Sequence, residues 1–283
     1  MTNSLKLGVP IALALLAAAW GILLPPLQQA QAYHNFADAR ALLSIENAAD
    51  TLSNLAFLIV GVLGLAFLRR ERASGSGERF AAPREMRPWW VFFAGVALTS
   101  AGSAWYHLAP DDARLVWDRL PMTVAFMSLV AAVVSERISV RAGNALLWPL
   151  VFLGLASVVY WRWSAFAGFE NLRPYVAVQY GSIAVVLAIA ALFRSRYTHG
   201  GVIFALAAAY GIAKVFEALD REIFALGQWM SGHTLKHLAA AAGVYLLLRA
   251  LQGRMAASTH AASDRSAPRT ARARTMEPGR TAW

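Results

Sequence analysis

Residues 49–68 have the sequence ADTLSNLAFLIVGVLGLAFL, in which Asp50 is the one charged residue, and Arg69 and Arg70 follow directly. A helix of about 20 mostly apolar residues is long enough to cross the hydrocarbon core of a bilayer. Further stretches of this kind lie at approximately 7–24, 89–108, 116–135, 144–161, 175–193, 200–219 and 231–250. The sequence therefore predicts an all-α integral membrane protein, a bundle of seven transmembrane helices preceded by an additional N-terminal hydrophobic helix or signal peptide.

The composition of the 283-residue chain agrees with this class, because 58% of the residues are hydrophobic and 15% are charged. A soluble chain carries about 25% charged residues. The chain contains no cysteine, which excludes a disulfide scaffold, thiolate metal sites and cysteine nucleophiles. It also contains no glycine-rich phosphate loop, so the sequence does not support nucleotide chemistry. The net charge of +10 would suggest a nucleic-acid partner in a soluble protein, but in this chain the position of the basic residues matters more than their sum, and we expect no nucleic-acid partner.

The N-terminal segment, residues 1–32, has two interpretations. Lys6, an apolar run and Ala30-Gln31-Ala32 resemble a signal peptide with a small-residue cleavage site. The run is also long enough to span a membrane, and Pro25-Pro26 would end such a helix. We favour an uncleaved extra helix, followed by a seven-helix domain at 33–250 and a basic, disordered cytoplasmic tail at 251–283.

The predicted orientation follows from the loops between the spans. Arginines concentrate at 69–87, at 137–141, at 194–196 and after residue 245, whereas the intervening loops carry carboxylates. Lys and Arg accumulate in cytoplasmic loops of membrane proteins. We therefore place the arginine-rich loops and the C-terminus in the cytoplasm and the acidic loops outside.

Five polar residues fall at the predicted outer ends of three spans, namely Ser103, His107, Asp118, His233 and His237. Ionisable residues inside a span cost about 2.5–3.5 kcal/mol each at mid-membrane, which makes them functional candidates. Three imidazoles, two of them one helical turn apart, can form a zinc site that keeps its fourth position for water. Asp118 can then act as general base, and Ser103 can donate a hydrogen bond to an oxyanion.

Less specific interpretations remain open for each of these residues. The His pair can bind haem or copper instead of zinc, and Asp118 can cap the helix that it opens. Ser103 can bond to its own backbone. Elsewhere, Lys214 and Glu217 are most simply an internal salt bridge. We expect His34, His199 and His260, which lie in loops or the tail, to be solvated.

The same residues carry a resemblance to a family. Its three motifs are Ser103-x3-His107, Asp118 followed within four residues by Leu-Pro-Met, and Gly232-His233-x3-His237. Together with Asp50-Thr51-Leu52-Ser53-Asn54 upstream, they resemble the alkaline ceramidase family, which belongs to the seven-helix hydrolase superfamily that includes the adiponectin and progestin receptors. The resemblance extends over residues 46–250.

The resemblance implies an intramembrane zinc amidase that cleaves ceramide or a related N-acyl lipid to a long-chain base and a fatty acid. His107, His233 and His237 would be the zinc ligands, with Asp118 and Ser103 as the catalytic residues. The lipid substrate would lie within the bilayer. The loops resemble those of bacterial members, whose substrates need not be ceramide, which suggests a multi-pass protein of the bacterial inner membrane.

The sequence departs from the eukaryotic ceramidases at two places. Asp38, Glu46 and Asp50 are oxygen donors suited to calcium, but they are not in the register of the acidic calcium-binding loop, so we expect solvated charges. Lys236 stands between the two histidines, where an aromatic residue is common in the ceramidases. The alternatives to a hydrolase are a receptor-like seven-helix protein with a structural zinc, and a bis-His haem protein.

Overall fold

A computed structural model describes residues 2–75 and 77–256. Within these residues the chain is helical, and β-structure is limited to the isolated bridges Leu42–Ile45 and Tyr197–Ala256. The helices are α1 (Asn3–Leu23), α2 (Ala48–Ser53), α3 (Leu55–Ser74), α4 (Met86–Leu108), α5 (Asp112–Arg137), α6 (Val140–Phe166), α7 (Arg173–Leu192), α8 (Val202–Ala218), α9 (Asp220–Ala225) and α10 (Gly232–Gly253). Most of the predicted disordered tail at 251–283, from residue 257 onward, lies outside the described residues.

Six helical segments among the described residues are long and apolar enough to cross a membrane. They are α1, α2 with α3, α5, α6, α7 and α10. This supports a multi-pass membrane protein, but it does not confirm the count of seven core spans. The predicted spans at 89–108 and 200–219 form α4 and α8, which are not among the six. Helix α8 has 17 residues, and α4 contains serine, threonine and histidine side chains that reduce its apolar character.

Side-chain caps fix where the helices that carry the polar residues begin. The Asp111 carboxylate accepts a hydrogen bond of 2.7 Å from the Arg114 backbone N–H and caps α5. The Ser231 hydroxyl accepts one of 3.0 Å from the Thr234 backbone N–H and caps α10. Such caps satisfy backbone donors that have no partner inside the helix. They therefore set the register in which Asp118 and His233 face their neighbours.

Close helix contacts depend on glycine at two positions near the predicted site. A Cβ added at Gly102 would overlap the backbone carbonyl of Trp117 on α5. A Cβ added at Gly232 would overlap the backbone carbonyl of Phe216 on α8. Small residues let helix backbones approach closely in membranes. The first contact brings α4 against the turn of α5 that carries Asp118.

Helix α1 packs along α7. The backbone N–H of Leu172 donates a 2.7 Å hydrogen bond to the carbonyl of Leu27, just after α1 ends. Residues 3–23 are helical, as predicted for the N-terminal apolar run. The choice between a membrane anchor and a cleaved signal peptide stays a prediction.

The bundle has two ends with different polar structures. The site end comprises the segments at 24–47, 109–111, 167–172 and 219–231, the last of which includes α9. The opposite end comprises those at 77–85, 138–139, 193–201 and 254–256. At the opposite end, Arg254 donates to Glu136 at 2.8 Å, and the Tyr197 hydroxyl donates to Glu85 at 2.6 Å. Burial raises the pKa of Glu85 above its ordinary value. These buried pairs join the ends of α5 and α10 to the intervening loops.

Candidate metal centre

Three histidines converge at the site end of the bundle. His107 belongs to the last turn of α4, and His233 and His237 belong to the first two turns of α10. Their candidate ligand atoms lie within 4.8 Å of one another. Among residues 2–75 and 77–256, this is the only cluster of three or more His, Cys, Asp or Glu side chains with that proximity. The prediction that these three residues form a group able to bind a metal ion is therefore confirmed, while the identity of the metal stays a prediction.

The surroundings of the three imidazoles fit a metal ion. Their exposed fractions are 1% for His107, 3% for His233 and 4% for His237. His107 Nδ1 and His233 Nε2 are buried and find no hydrogen-bond partner among the described residues. A buried polar atom without a partner costs about 1–3 kcal/mol. Coordination to a metal ion would satisfy imidazole nitrogens in this position.

A serine on α2 sets the orientation of one imidazole. Ser53 Oγ lies 2.8 Å from His237 Nδ1 and donates its own hydrogen to the backbone carbonyl of Asp50 at 2.8 Å. Because the hydroxyl has a single hydrogen, His237 Nδ1 must be the donor to Ser53. His237 Nε2 then carries the free lone pair that a metal requires. The sequence indicated this segment only through the family resemblance, and no role was predicted for Ser53.

The three calcium candidates do not come together. The Asp50 carboxylate, fully buried, accepts hydrogen bonds from Thr234 Oγ1 at 2.5 Å and Ser231 Oγ at 3.1 Å. Asp38 is paired instead with Arg40, whose guanidinium holds the pKa of Asp38 below its ordinary value. Glu46 is exposed. Asp50 therefore ties α2 to the start of α10, and the expectation of solvated charges is correct for Glu46 but wrong for the two aspartates.

The loop at 24–47 covers the histidines, which sequence reasoning did not foresee. The Phe36 ring lies 4.6 Å from the His107 ring and 4.4 Å from the His233 ring, measured between centroids. Asp220 accepts hydrogen bonds of 2.8 Å from the backbone N–H groups of both Ala37 and His233. The same carboxylate therefore fixes the cover and the first turn of α10. In the sequence, Phe36 is marked only by being aromatic in a loop that is rich in polar groups.

His34 also belongs to this cover rather than to solvent, contrary to what its loop position suggested. Its ring nitrogens lie 2.8 Å from the Tyr106 hydroxyl and 3.0 Å from the Asp112 carboxylate. These contacts hold the loop to the end of α4 and the start of α5.

A cavity of about 410 Å³ opens beside the histidines. Ser103, Asp118 and His237 line it at the site end, and Ser103 faces the Asp118 carboxylate. Both side chains are buried, with exposed fractions of 3% for Ser103 and 8% for Asp118. Towards the opposite end, the lining is mainly apolar and includes Phe92, Val96, Leu129, Val186, Ile203 and Val244. The structure thus brings the two predicted catalytic residues to the same cavity as His237.

Charged side chains form a second group in the lining of the cavity. Glu217 accepts hydrogen bonds from the Tyr33 hydroxyl at 3.1 Å and from Lys236 Nζ at 3.0 Å, and it also pairs with Lys214. The predicted Lys214–Glu217 salt bridge is therefore present, but it is part of a larger group. Arg119 lines the same cavity, next to Asp118 in the sequence. Its Nη2 donates to the Gln29 side chain at 2.6 Å.

Comparison of the chain with protein-family models gives no match, and comparison with curated proteins gives none either. The chemistry available beside this mainly apolar cavity is that of three imidazoles with the Asp118 carboxylate and the Ser103 hydroxyl, and of the charged group around Glu217. This combination suits a metal-assisted reaction on a lipid.

Proposed function

We propose that the protein is an intramembrane zinc-dependent amide hydrolase that cleaves ceramide or a related N-acyl lipid to a long-chain base and a fatty acid. The proposal depends mainly on one observation. The clustered histidines stand beside an apolar cavity that is also lined by Asp118 and Ser103. A structural metal site needs ligands alone, whereas this one is accompanied by a carboxylate and a hydroxyl that face each other.

The geometry favours zinc over haem. The centroids of the three imidazole rings lie 4.8, 4.9 and 5.0 Å apart. Two axial imidazoles of a haem lie on opposite faces of the macrocycle, and rings this close leave no space for it. Three imidazoles without cysteine are also the ligand set of catalytic zinc sites that keep a position for water.

Bound zinc would supply a Lewis acid and lower the pKa of a coordinated water to about 7. Asp118 takes up the proton of the attacking water and returns it to the amide nitrogen as the C–N bond breaks. Ser103 donates a hydrogen bond to the carbonyl oxygen as negative charge develops there. Phe36 limits the access of bulk water, and Ser53 holds His237 in the required tautomer. One water is consumed, and a fatty acid and an amine are released.

The proposal includes a seven-helix bundle in which α4 and α8 also cross the membrane. The polar side chains of α4 that reduce its apolar character, Thr99, Ser100, Ser103 and His107, are all buried. They face protein and not lipid, so they do not oppose insertion of a helix within a bundle. Helix α8 approaches α10 at Gly232 and again at Gly243, where an added Cβ would lie 2.7 Å from Ala209.

We also propose that the protein belongs to the alkaline ceramidase family and lies in the bacterial inner membrane, with the C-terminus in the cytoplasm. The site end would face outward. Every second loop is rich in arginine, and such loops lie in the cytoplasm of membrane proteins, which supports that orientation.

The test is a metal and activity assay on protein purified in detergent. We expect about one zinc per chain by mass spectrometry and release of fatty acid from ceramide or another N-acyl lipid. His237→Ala should lose most of the zinc, whereas the control His199→Asn should retain it. His199 is an exposed histidine with φ of 60°, a conformation that asparagine tolerates.

A second pair of variants separates a catalytic from a structural zinc. Asp118→Asn should retain zinc and lose turnover, and the control Asp111→Asn should keep both, since asparagine also caps a helix. Full turnover in Asp118→Asn would overturn the proposed role of this carboxylate. Bound zinc without hydrolysis of any N-acyl lipid would instead favour a receptor-like protein with a structural metal.

A further inference from the structure

We infer that the substrate carries an anionic group, a carboxylate or a phosphate, on the amine side of its amide bond. The inference rests on the proposed amide hydrolysis and changes its amine product: the amine released would be an amino acid or phosphoethanolamine in place of a long-chain base. An N-acyl amino acid and an N-acyl phosphoethanolamine both have this chemistry, whereas ceramide does not.

The charges that line the cavity are not balanced. Three cations, Arg119, Lys214 and Lys236, face two carboxylates, Asp118 and Glu217. Both lysines pair with Glu217, and Lys236 is also near Asp50 and Asp220, which lie outside the lining. In the proposed reaction Asp118 carries the proton, so Arg119 is the cation without an ion-pair partner. A zinc ion would add further positive charge. An anion in the substrate would balance this excess in surroundings where uncompensated charge is costly.

Arg119 is the cation with the least compensation. Its exposed fraction is 5%, and it takes part in none of the ion pairs found among the described residues. Its Nη1 has no hydrogen-bond partner there. The guanidinium lies 4.4 Å from the Trp161 ring and 4.6 Å from the Tyr175 ring. These aromatic rings hold the guanidinium plane in place without neutralising it, and such a plane matches a carboxylate or phosphate.

The position of the cations assigns them to the amine side of the substrate. The apolar lining extends towards the opposite end of the bundle, where it suits an acyl chain. The cations lie at the site end, with Gln28, Gln29 and Tyr33 from the covering loop. An amide held between Asp118 and the histidines with its acyl chain in the apolar part directs its amine portion to this polar part. A small anionic group fits these surroundings better than the second hydrocarbon chain of ceramide.

The inference is tested with N-acyl compounds that share a palmitoyl chain. The zinc-loaded protein is assayed in detergent with N-palmitoylglycine, N-palmitoylphosphoethanolamine and the neutral N-palmitoylethanolamine, with ceramide alongside. We expect kcat/KM to be about tenfold or more higher for an anionic compound than for the neutral one. The preferred anionic compound identifies a carboxylate or a phosphate as the natural group.

Variants of the cations should change this preference. A hydrogen bond to a charged group corresponds to about a ten- to hundredfold effect. Arg119→Gln and Lys236→Gln should therefore reduce the anionic-to-neutral ratio of kcat/KM by that factor, and Arg119→Lys should recover part of it. Arg114→Gln, on the same helix but outside the cavity lining, should leave the ratio unchanged.

A binding measurement separates this inference from the proposed function. Thermal unfolding of the Asp118→Asn protein is followed with each compound, and only the anionic ones should stabilise it, in a manner that Arg119→Gln abolishes. Anionic compounds that bind through Arg119 without any amide cleavage would support the anion site and overturn the hydrolase. Equal cleavage of neutral and anionic compounds, or equal binding of all of them, would overturn the anion site.

Discussion

Replacing Ser53 by alanine should weaken zinc binding without touching a zinc ligand. The hydroxyl accepts from His237 Nδ1 at 2.8 Å and thereby leaves Nε2 free for the metal. Loss of a partner of this kind reduces metal affinity by about 10–100-fold. The Asp50 backbone carbonyl, which accepts from Ser53, is also near the His237 ring, and in the variant it can become the acceptor for Nδ1. We therefore expect a loss of about tenfold, or ~1.4 kcal/mol.

The assay is competition for zinc between the purified protein and a chromogenic chelator at constant pH. Ser74→Ala is the matched control, because Ser74 is exposed at the end of α3 and donates only to the Glu71 carbonyl, at 3.0 Å. Its zinc affinity should equal that of the wild type. A Ser53→Ala protein with wild-type affinity would refute the reasoning, because it would show that the serine does not orient His237.

Three further changes test the packing around the site and the opposite end. Gly102→Ala should lower the thermal unfolding temperature in detergent, with a cost of about 1–3 kcal/mol for overpacking. The control Gly211→Ala should not, because no atom lies within 4 Å of the added Cβ. Equal unfolding temperatures of the two variants would contradict the close contact at Gly102. Arg254→Met should cost up to about 3–5 kcal/mol, because it removes the closest cation of the buried Glu136 and leaves only the Ser195 hydroxyl and the Arg137 guanidinium at 3.9 Å. Adding Glu136→Gln should recover part of that loss in the same assay. Because burial raises the pKa of Glu85 above its unfolded value, its contribution to stability is present at low pH and is lost as the pH rises through the raised pKa. Wild type should therefore lose stability relative to Glu85→Gln when thermal unfolding is followed from acid to neutral pH, and a constant difference would contradict this.

The part of the site that could be predicted from sequence is the part carried by single helices. His233 and His237 share a face because residues four apart lie one turn from each other in any α-helix. Membrane segments could be predicted for the same kind of reason, since length and apolar content are local properties. Apolar content alone does not mark α4 as a span, because it carries polar side chains that are buried in the bundle.

Other features depended on contacts between distant segments. Phe36, Ser53 and Asp220 became part of the site only when the loop at 24–47 and the short helices α2 and α9 met the start of α10. The sequence predicted a solvated His34, because it does not show which segments contact this loop. In the structure His34 forms hydrogen bonds with Tyr106 and Asp112. None of these partners shares a helix with the residue it contacts, so no sequence period connects them.

The sequence by itself determined that the chain forms apolar helices and that one of them presents two histidines on the same face, because helical periodicity and hydrophobicity reside in neighbouring residues. Only the tertiary structure decided that His107 meets them, that Asp118 and Ser103 share their cavity, and that Arg119 is buried there without an ion-pair partner. These outcomes depend on how closely α4, α5 and α10 approach one another. That approach is set by glycine contacts, helix caps and buried hydrogen bonds between segments far apart in the chain.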